Sequence, residues 1–314
     1  MPQSARTVMI AGLGNAGMDH ARALESIPDA TVIAGIDIDS TRSLMFRDGP
    51  VPVYLDASAA YNARLDPDVI VIAAPTGVHD QVCADAAKYF PQAVLLVEKP
   101  AADRLPEALS IIANTGKNRG VDVAYHMAYS PEVAWAVQRT REMADELGLP
   151  VSIQAWAADP YQIDHASATA RFGSSWIDSG INALSVIERF ATLIERTSYR
   201  TIGQEPLSAS EGRFVCSYRG SRFPATVLTS WQSSGPTRST RITYASGAEV
   251  VMDHHGVVGY IIRDGSTVDF YGGDATVPRR ENHYRELYRS WLVGDEQMFS
   301  AETSARLHSL LLDD

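Results

Sequence analysis

The sequence has few cysteines and no excess of positive charge. Only Cys83 and Cys216 occur in 314 residues, and neither has a CxxC or metal-ligand spacing. This excludes a disulfide framework and a metal-binding cysteine motif, and it favours reduced, packed thiols in the cytoplasm. The formal net charge is −11, without a basic stretch. Nucleic acids and anionic membranes are therefore poor candidates for partners, and a small neutral substrate fits better.

Long hydrophobic runs are lacking as well. The N-terminal segment Met1–Arg6 is short and polar. The apolar run that follows, Val8–Gly12, is too brief for a signal-peptide core or a membrane span. We therefore expect no membrane segment and a cytoplasmic location. Because 45% of the 314 residues are apolar, the chain can bury a substantial core, and its length favours two domains over one.

The two halves of the sequence differ in pattern. Up to residue 124, short aliphatic runs alternate with alanine-rich segments of helical length, which predicts a doubly wound parallel sheet between helices. From about Val151 the strands are longer, rich in Thr, Val, Tyr and Trp, and separated by turn signals, which predicts a mainly antiparallel sheet. Helices are expected at Pro131–Leu147, Ser175–Glu195, Arg279–Val293 and Ser300–Leu312. We therefore predict an α/β domain over 1–124 and an α+β domain over 125–314, with the C-terminal helices able to return to the first domain.

A glycine fingerprint follows the first predicted strand. It reads Gly12-Leu13-Gly14-Asn15-Ala16-Gly17, a turn that lets backbone N–H groups reach a pyrophosphate at a helix N-terminus. Asp37, followed by Ile38, stands at the end of the next strand, where a carboxylate binds the adenosine ribose of NAD. The alternatives are a purely structural turn for the glycines and a helix N-cap for Asp37. NADP also stays open as the cofactor, because Ser40 and Arg42 close behind could accommodate its 2′-phosphate.

Two further segments at strand ends point to the cofactor. Ala74-Pro75-Thr76 and His79 follow the run Val69–Ala73 and are expected near the nicotinamide ribose, although His79 equally fits a surface histidine in a first helical turn. Glu98-Lys99-Pro100 follows the run Ala93–Val97. Oxidation of an alcohol by hydride transfer needs a group that takes the hydroxyl proton, and a half-desolvated lysine beside a positively charged nicotinamide loses its own proton readily. Lys99 is therefore the candidate base, with a simple Lys99–Glu98 ion pair as the alternative.

A later helical pattern carries polar residues beside an apolar stripe. Asp178, Asn182 and Ser185 recur at i, i+4 and i+7, so that a carboxylate and an amide face the same direction, and Gly180 between them permits close approach of a ligand. The alternative is a capping acid with a solvated amide. The apolar stripe consists of Ile177, Ile181, Leu184, Ile187, Ala191 and Ile194.

Three residues are weaker candidates for binding or catalysis. His126, which follows the run Val121–Ala124 and Tyr125, is a candidate for binding or deprotonating the substrate, with a packing role as the alternative. Trp156 and Tyr161 offer aromatic faces and a hydroxyl group, although strand aromatics are more often core residues. His254-His255 resembles a hairpin turn rather than a metal site.

The order of these motifs resembles the glucose-fructose oxidoreductase and inositol dehydrogenase family (Gfo/Idh/MocA). The resemblance spans nearly the whole chain. It implies an N-terminal Rossmann domain, a C-terminal domain with an open antiparallel sheet, and homodimers or homotetramers packed through that sheet. It also implies that Lys99 is the catalytic lysine and that Asp178 binds substrate and relays protons.

One position departs from the usual pattern of the family. The helix motif commonly ends in a histidine, whereas this chain has Asn182, which cannot titrate. Deprotonation must then rest with Lys99 or another nearby group. An asparagine here, together with Trp231-Gln232 and Gly235-Pro236, resembles the L-arabinose and D-galactose 1-dehydrogenase branch, which implies oxidation of the anomeric C1 hydroxyl of an aldose to a lactone. The alternatives are a cyclic polyol dehydrogenase such as an inositol dehydrogenase, a keto-sugar reductase, and a non-catalytic dinucleotide-binding regulator.

Overall fold

The computed structural model describes residues 5–46, 49–113, 121–161, 164–203, 208–293 and 299–313. The chain forms two compact units. The first consists of the residues up to Ala124 together with the segment from Arg280 on, and the second is Tyr125–Arg279. The second unit is therefore shorter at its C-terminal end than the 125–314 expected from the sequence.

The first unit is built on a parallel sheet. Its strands are β1 (Arg6–Ala11), β2 (Ala30–Ile36), β3 (Leu44–Phe46), β4 (Gly49–Val51), β5 (Val53–Tyr54), β6 (Val69–Ile72), β7 (Val94–Glu98) and β8 (Val121–Ala124). In the part of the chain that the structure describes, six of them pair in parallel in the order β5-β2-β1-β6-β7-β8, and β3 pairs with β4. The predicted apolar runs form the central strands, and this confirms the doubly wound fold. The strand order reverses between β1 and β6, and ligands of such sheets bind beyond the carboxyl ends at this point.

Helices connect these parallel strands. They are α1 (Asn15–Glu25), α2 (Ala57–Asn62), α3 (His79–Tyr89) and α4 (Leu105–Ala113). A short 3-10 turn, Thr76–Val78, precedes α3. As a result α1 begins at Asn15, within the glycine fingerprint, and α3 begins at His79.

The second unit combines helices with a large sheet. Its helices are α5 (Pro131–Glu142), α6 (Ala144–Leu147), α7 (His165–Phe172) and α8 (Ile181–Glu188), with a 3-10 turn at His126–Tyr129 and a π-helical turn at Trp176–Gly180. Its strands are β9 (Pro150–Pro160), β10 (Thr192–Ile202), β11 (Ala209–Tyr218), β12 (Ser221–Ser230), β13 (Gln232–Tyr244), β14 (Glu249–Asp253), β15 (Val258–Arg263) and β16 (Ser266–Gly272). Across the described residues their order is β10-β11-β12-β9-β13-β14-β15-β16, and β9 with β12 is the parallel pair. The predicted mainly antiparallel sheet is confirmed.

One predicted helix extends too far. The apolar periodicity suggested a helix from Ser175 to Glu195, but α8 ends at Glu188 and β10 begins at Thr192. The Glu188 carboxylate accepts a hydrogen bond from the Leu193 backbone N–H (2.9 Å). Ile194, counted in the helical stripe, is half exposed on the strand. The β-branched residues that follow Ala191 favour the strand over another helical turn.

The sheet of the second unit has one covered and one open face. Trp135 of α5 lies against Gly259 of β15, where an added Cβ would stand 2.4 Å from the Trp135 ring. Successive residues of a strand point to opposite faces, so the neighbours of Gly259 and their register partners on the other strands face away from Trp135. This open face is defined by Gln154, Trp156, Arg241, Val251, Tyr260 and Phe270.

The C-terminal segment completes the first unit. It consists of α9 (Arg279–Tyr288), a π-helical turn at Arg289–Val293, and α10 (Ala301–Leu312), which packs on α4 and β8. Among the described residues no helix is both long and apolar enough to cross a membrane. Cys83 and Cys216 are free and buried, and burial raises the pKa of each thiol to about 12. The prediction that both are packed thiols is confirmed.

Candidate active site

The glycine fingerprint forms a tight turn between β1 and α1. Gly12 has φ +93°, and a Cβ there would stand 2.5 Å from the Ala74 backbone nitrogen. A Cβ on Gly17 would stand 1.9 Å from the Gly12 carbonyl oxygen. Both positions therefore require glycine for the turn itself and for the close approach of α1.

Gly14 differs from these two glycines. It is the N-cap of α1, no side chain caps the helix there, and a Cβ on it would meet nothing within 4 Å. The fold itself therefore leaves room for a side chain at this position. Open space in front of uncapped backbone N–H groups at a helix N-terminus suits a pyrophosphate, so the residues present fit a dinucleotide.

Asp37 links the end of β2 to this turn. Its Oδ2 accepts a hydrogen bond from the Leu13 N–H (2.7 Å), and its Oδ1 accepts one from the Asp39 N–H (2.9 Å). Turn and irregular structure, not a helix, follows Asp37 in this part of the chain, so the alternative of a helix N-cap is wrong. The Ile38 side chain beside it is 92% exposed. Arg42, which left NADP open, lies 3.4 Å from the Asp39 carboxylate.

The loop after β6 is held by His79. Its Nε2 lies 2.9 Å from the Ala74 carbonyl oxygen and its Nδ1 lies 3.0 Å from the Ala101 carbonyl oxygen. The ring is buried, so the alternative of a surface histidine is wrong. Both ring nitrogens face protein carbonyl oxygens, so the ring holds the loop, and its expected place near the nicotinamide ribose stays a prediction. Pro75 and Thr76 remain at the surface of that loop.

Glu98 is buried among aromatic and imidazole groups. Its Oε1 lies 2.9 Å from His20 Nε2 and accepts a hydrogen bond from the Tyr284 hydroxyl (2.7 Å). The Tyr288 hydroxyl lies 2.7 Å from the other nitrogen of His20. Burial by itself raises the pKa of Glu98, but the His20 hydrogen bond, the His20 and Lys99 charges and the Tyr284 hydrogen bond outweigh it, and the pKa is lowered. The Glu98 carboxylate, predicted at the cofactor, thus engages protein groups through Oε1.

Lys99 follows at the carboxyl end of β7. It is half-buried, and its peptide bond to Pro100 is cis. Ala101, two residues on, is fully buried, and its N–H donates to His308 Nε2 (2.9 Å). Lys99 therefore lies between two anchored residues, Glu98 and Ala101, at the carboxyl end of the parallel sheet, where the glycine turn also lies.

In the second unit, the expected polar helix begins with a π-helical turn. Asp178 is half-buried in that turn, and Asn182 is buried in the first turn of α8. Asn182 Nδ2 lies 3.5 Å from the Asp178 carbonyl oxygen, and among the described residues Asn182 Oδ1 has no hydrogen-bond partner. Single π-helical turns occur frequently at functional sites, and the sequence pattern did not reveal this one.

A buried ion pair supports the π-helical turn. Arg238 Nη2 donates to both carboxylate oxygens of Asp159, which lies near the end of β9 (2.6 and 2.7 Å). The Ser179 hydroxyl donates to the same carboxylate (3.3 Å). Sequence reasoning missed Asp159 and Arg238, because 79 residues separate them and no local pattern connects them.

The weaker candidates take three different positions within the second unit. His126 is buried at the start of a 3-10 turn that packs on α8. Tyr161 stacks on Phe172 (centroids 5.9 Å apart) and meets Trp231 edge-on (5.6 Å). Trp156 is 40% exposed on the open face.

The π-helical turn lies on the covered face of the sheet. Ser175, directly before it, contacts Thr229, whose register partner is Ala157, and Ala157 faces away from Trp156. The structure therefore does not bring Trp156 together with Asp178. Trp156, predicted as an aromatic face for the substrate, instead lies on the open face, away from the face that carries Asp178.

Comparisons with known proteins agree with this fold. A family model described as an oxidoreductase family with an NAD-binding Rossmann fold (GFO_IDH_MocA) matches residues 6–126. A search of curated proteins found no match.

Solved structures resemble the chain over nearly its full length. The myo-inositol 2-dehydrogenase from Lactobacillus plantarum is 16% identical, with a TM-score of 0.72 and coverage of 98% of this chain and 95% of that one. The UDP-N-acetylglucosamine 3-dehydrogenase from Acidithiobacillus ferrooxidans is 17% identical, with a TM-score of 0.71 and the same coverage. An oxidoreductase from Agrobacterium radiobacter in complex with NAD+, L-tartaric acid and magnesium is 14% identical, with a TM-score of 0.73 and coverage of 98% and 94%. Residues 6–126 thus match the family model of the Gfo/Idh/MocA oxidoreductases with an NAD-binding Rossmann fold, and the whole chain shares the fold of these solved structures.

Proposed function

We propose that the chain is an NAD-dependent dehydrogenase that oxidises a sugar hydroxyl, with the C1 hydroxyl of an aldose such as D-galactose or L-arabinose as the first choice. The observation that carries this proposal is Lys99. It lies half-buried at the carboxyl end of β7, at the sheet edge that carries the glycine turn and Asp37. A lysine in this place is suited to take a proton at a bound nicotinamide.

The reaction divides between cofactor and protein. NAD+, when bound, accepts the hydride that leaves the substrate carbon. Lys99 Nζ takes the hydroxyl proton, so that the C–H and O–H bonds break and a C=O bond forms. The product of an aldose C1 oxidation is a lactone. Backbone N–H groups at Gly14 hold the pyrophosphate, Asp37 binds the ribose, and the exposed Ile38 side chain contacts the adenine.

Asp178 and Asn182 bind the substrate in this proposal. The Asp178 carboxylate accepts a hydrogen bond from a sugar hydroxyl, and Asn182 Oδ1 accepts another. Support comes from the buried Oδ1 atom, which has no hydrogen-bond partner among the described residues. A buried acceptor in that state costs about 1–3 kcal/mol, and a hydroxyl donor from the substrate removes this cost. Because an amide does not titrate, the proton goes to Lys99, with His126 assisting.

Tyr161 is proposed as an additional substrate contact. It belongs to an aromatic cluster with Phe172 and Trp231, and among the described residues the buried Trp231 Nε1 has no hydrogen-bond partner. An indole N–H and a phenol hydroxyl beside aromatic faces are suited to the polar edge and apolar face of a sugar ring.

A cyclic polyol is the second candidate substrate. The structural relatives include proteins named as a myo-inositol 2-dehydrogenase and a UDP-N-acetylglucosamine 3-dehydrogenase. Both names denote oxidation at a ring carbon, and the same lysine chemistry serves a secondary alcohol or the reduction of a keto-sugar. Neither relative exceeds 17% identity, so each supports the fold and leaves the substrate to experiment.

A panel of substrates tests the proposal. D-galactose, L-arabinose, D-glucose and myo-inositol are incubated with NAD+ and, in parallel, with NADP+, and absorbance of the reduced cofactor is followed at 340 nm. We expect the highest kcat/KM for an aldose with NAD+, because the Asp37 carboxylate repels a 2′-phosphate. A preference for myo-inositol would select the polyol alternative. Tight NAD binding with no turnover of any sugar or polyol would select the non-catalytic regulator and contradict the proposal.

A further inference from the structure

The backbone N–H and the carbonyl oxygen of Ala101 each contact a histidine side chain. The Ala101 N–H donates to His308 Nε2 of α10 (2.9 Å), and the Ala101 carbonyl oxygen lies 3.0 Å from His79 Nδ1 of α3. All three residues are buried, and Ala101 is only two residues beyond Lys99. The segment that carries the lysine is therefore fixed from two different helices.

The contact with His308 defines the tautomer of that ring. Because Nε2 accepts a hydrogen bond, it carries no hydrogen, and Nδ1 donates to the Ser304 carbonyl oxygen (2.8 Å). Burial lowers the pKa of His308 to about 4, so the ring stays neutral near pH 7. A leucine would fill much of the same volume without offering an acceptor, whereas a glutamine keeps an acceptor oxygen at the end of its side chain.

His79 joins two loops at the same edge of the parallel sheet. Its second nitrogen lies 2.9 Å from the Ala74 carbonyl oxygen, in the loop that follows β6, while Ala101 follows β7. A carbonyl oxygen can accept a hydrogen bond from an N–H of the ring, and the rigid plane of the imidazole spans the distance between the two loops. The His79 ring thereby connects Ala74 with Ala101, two residues beyond Lys99.

The residue before Lys99 is anchored as well. Glu98 accepts hydrogen bonds from the Tyr284 hydroxyl of α9 and lies within hydrogen-bond distance of His20 of α1. Helices from both ends of the first unit thus hold the two flanks of the lysine. Both neighbours of the Lys99–Pro100 segment are therefore held by side chains of other elements.

We propose that His79 and His308 are positioning residues, which hold the Lys99 segment in register with the loop at Ala74 so that binding of NAD at this loop also orders the lysine. This inference rests on the proposed role of Lys99. A displacement of a reacting group by about 1 Å can cost about 100-fold in rate. Loss of either histidine should therefore lower kcat without removing a group that touches the substrate.

Hydrogen exchange tests this coupling without any need for turnover. Exchange of a peptide that covers residues 98–102 is measured with and without saturating NAD+ in the wild type, H308L, H308Q, H79L and the control W291F. The control removes the indole N–H that donates to Asp122 (2.9 Å), a contact of the C-terminal segment that does not involve Ala101. We expect NAD+ to slow exchange of this peptide in the wild type and in W291F, H308L to expose one amide, and H79L to lose the NAD-dependent protection.

Kinetics supply the second readout. With the best substrate of the sugar panel, H308L should lower kcat by about 10- to 100-fold while the Kd for NAD+ stays within about twofold, and H308Q should recover most of kcat. H79L should lower kcat and also weaken NAD+ binding, since it frees the Ala74 loop. A loss of folded protein would instead lower the apparent kcat together with faster exchange across the whole chain, whereas the positioning role confines the change to the peptide that covers residues 98–102.

The outcomes separate this inference from the proposed function. If H308L and H79L both show the exchange and the kcat of the wild type, the positioning role is overturned and the dehydrogenase assignment stays intact. Full turnover of K99M would overturn the role of Lys99, and the exchange data would still decide whether the two histidines couple the loops. Equal loss of kcat in H308L and H308Q would contradict the acceptor role of His308.

Discussion

At the residue scale, the glycine fingerprint contains two glycines that the fold needs, Gly12 and Gly17, and a third, Gly14, that the fold itself does not need. A Cβ on Gly12 or Gly17 would collide with backbone atoms, whereas a Cβ on Gly14 would enter open space. Substitutions at these positions should therefore have different consequences. The difference gives direct access to the proposed phosphate contact.

Gly14→Ala should leave stability unchanged and weaken NAD binding. Its φ of −73° is compatible with alanine, so the melting temperature should stay at that of the wild type. The methyl group would occupy the space in front of the helix N-terminus and raise the Kd for NAD+ by about tenfold or more. Isothermal titration calorimetry measures the affinity, and Gly235→Ala, another open glycine, is the control. Unchanged NAD affinity in Gly14→Ala would argue against a pyrophosphate at this turn.

Asn182→Ala should affect substrate binding more than proton transfer. Removal of one hydroxyl acceptor should raise KM by about tenfold, while the pH at which kcat falls should not move, because an amide does not titrate. Steady-state kinetics over pH 5.5–9.5 measure both quantities. Ser185→Ala is the matched control, since that hydroxyl donates to the Asn182 backbone carbonyl one turn further along α8. A shift of the pH profile in Asn182→Ala would contradict the account.

At the element scale, the C-terminal helices act on the N-terminal sheet. Tyr284 of α9 and His308 of α10 contact the residues on either side of Lys99. The sequence predicted both helices, but it gave no sign of these contacts, because they join positions separated by 186 and 207 residues. Periodicity reveals which face of a helix is buried, but not which strand it meets.

His308 should make stability depend on pH in the acid range. The pKa is about 4 in the folded chain and 6.5 for an ordinary histidine, so the unfolded state binds one more proton between these values. The free energy of unfolding should therefore fall as pH falls from about 6.5 to 4, by about 1.4 kcal/mol per pH unit from this group. Urea unfolding of the wild type and H308L at several pH values measures the difference. Parallel pH dependence in both proteins would contradict the assignment.

Two local misjudgements of the sequence pattern have physical reasons. The helix expected to reach Glu195 ends at Glu188, because the 3.6-residue repeat of apolar residues continued by chance into β10. Trp156 was expected to contact the substrate, but it lies on the open face, because the alternation of side chains along β9 places Trp156 and Ala157 on opposite faces of the sheet. The register of a strand follows from its partners, and a single strand does not reveal it.

At the scale of the whole molecule, fold and cofactor were predictable because both depend on local patterns. Aliphatic runs, glycine spacing and an acid after β2 belong to short segments of sequence. The anchoring of Lys99, the Asp159–Arg238 pair and the π-helical turn at Asp178 depend on long-range packing. The sequence identified the lysine and the helix acid as candidates, but the groups that position them are visible only in three dimensions.

The open face should form an interface between copies of the chain. The resemblance to Gfo/Idh/MocA proteins implies association through this sheet, and Phe270 (55% exposed) lies on it beside Tyr260 (ring centroids 5.3 Å apart). Phe270→Asp should reduce the mass in light scattering toward the 34.1 kDa of one chain. Met45→Asp, an exposed apolar residue of the first unit, should leave the mass unchanged. A wild-type protein that is already monomeric at 50 µM would contradict the interface.

Lys99 is proposed to take the proton of a sugar hydroxyl at a bound NAD. The most direct test compares the wild type with K99M in turnover of the best sugar and in NAD+ affinity. We predict a loss of kcat of about 1,000-fold, in the range for removal of a general base, with the Kd for NAD+ within about threefold of the wild type. Turnover by K99M at the wild-type rate would contradict the claim.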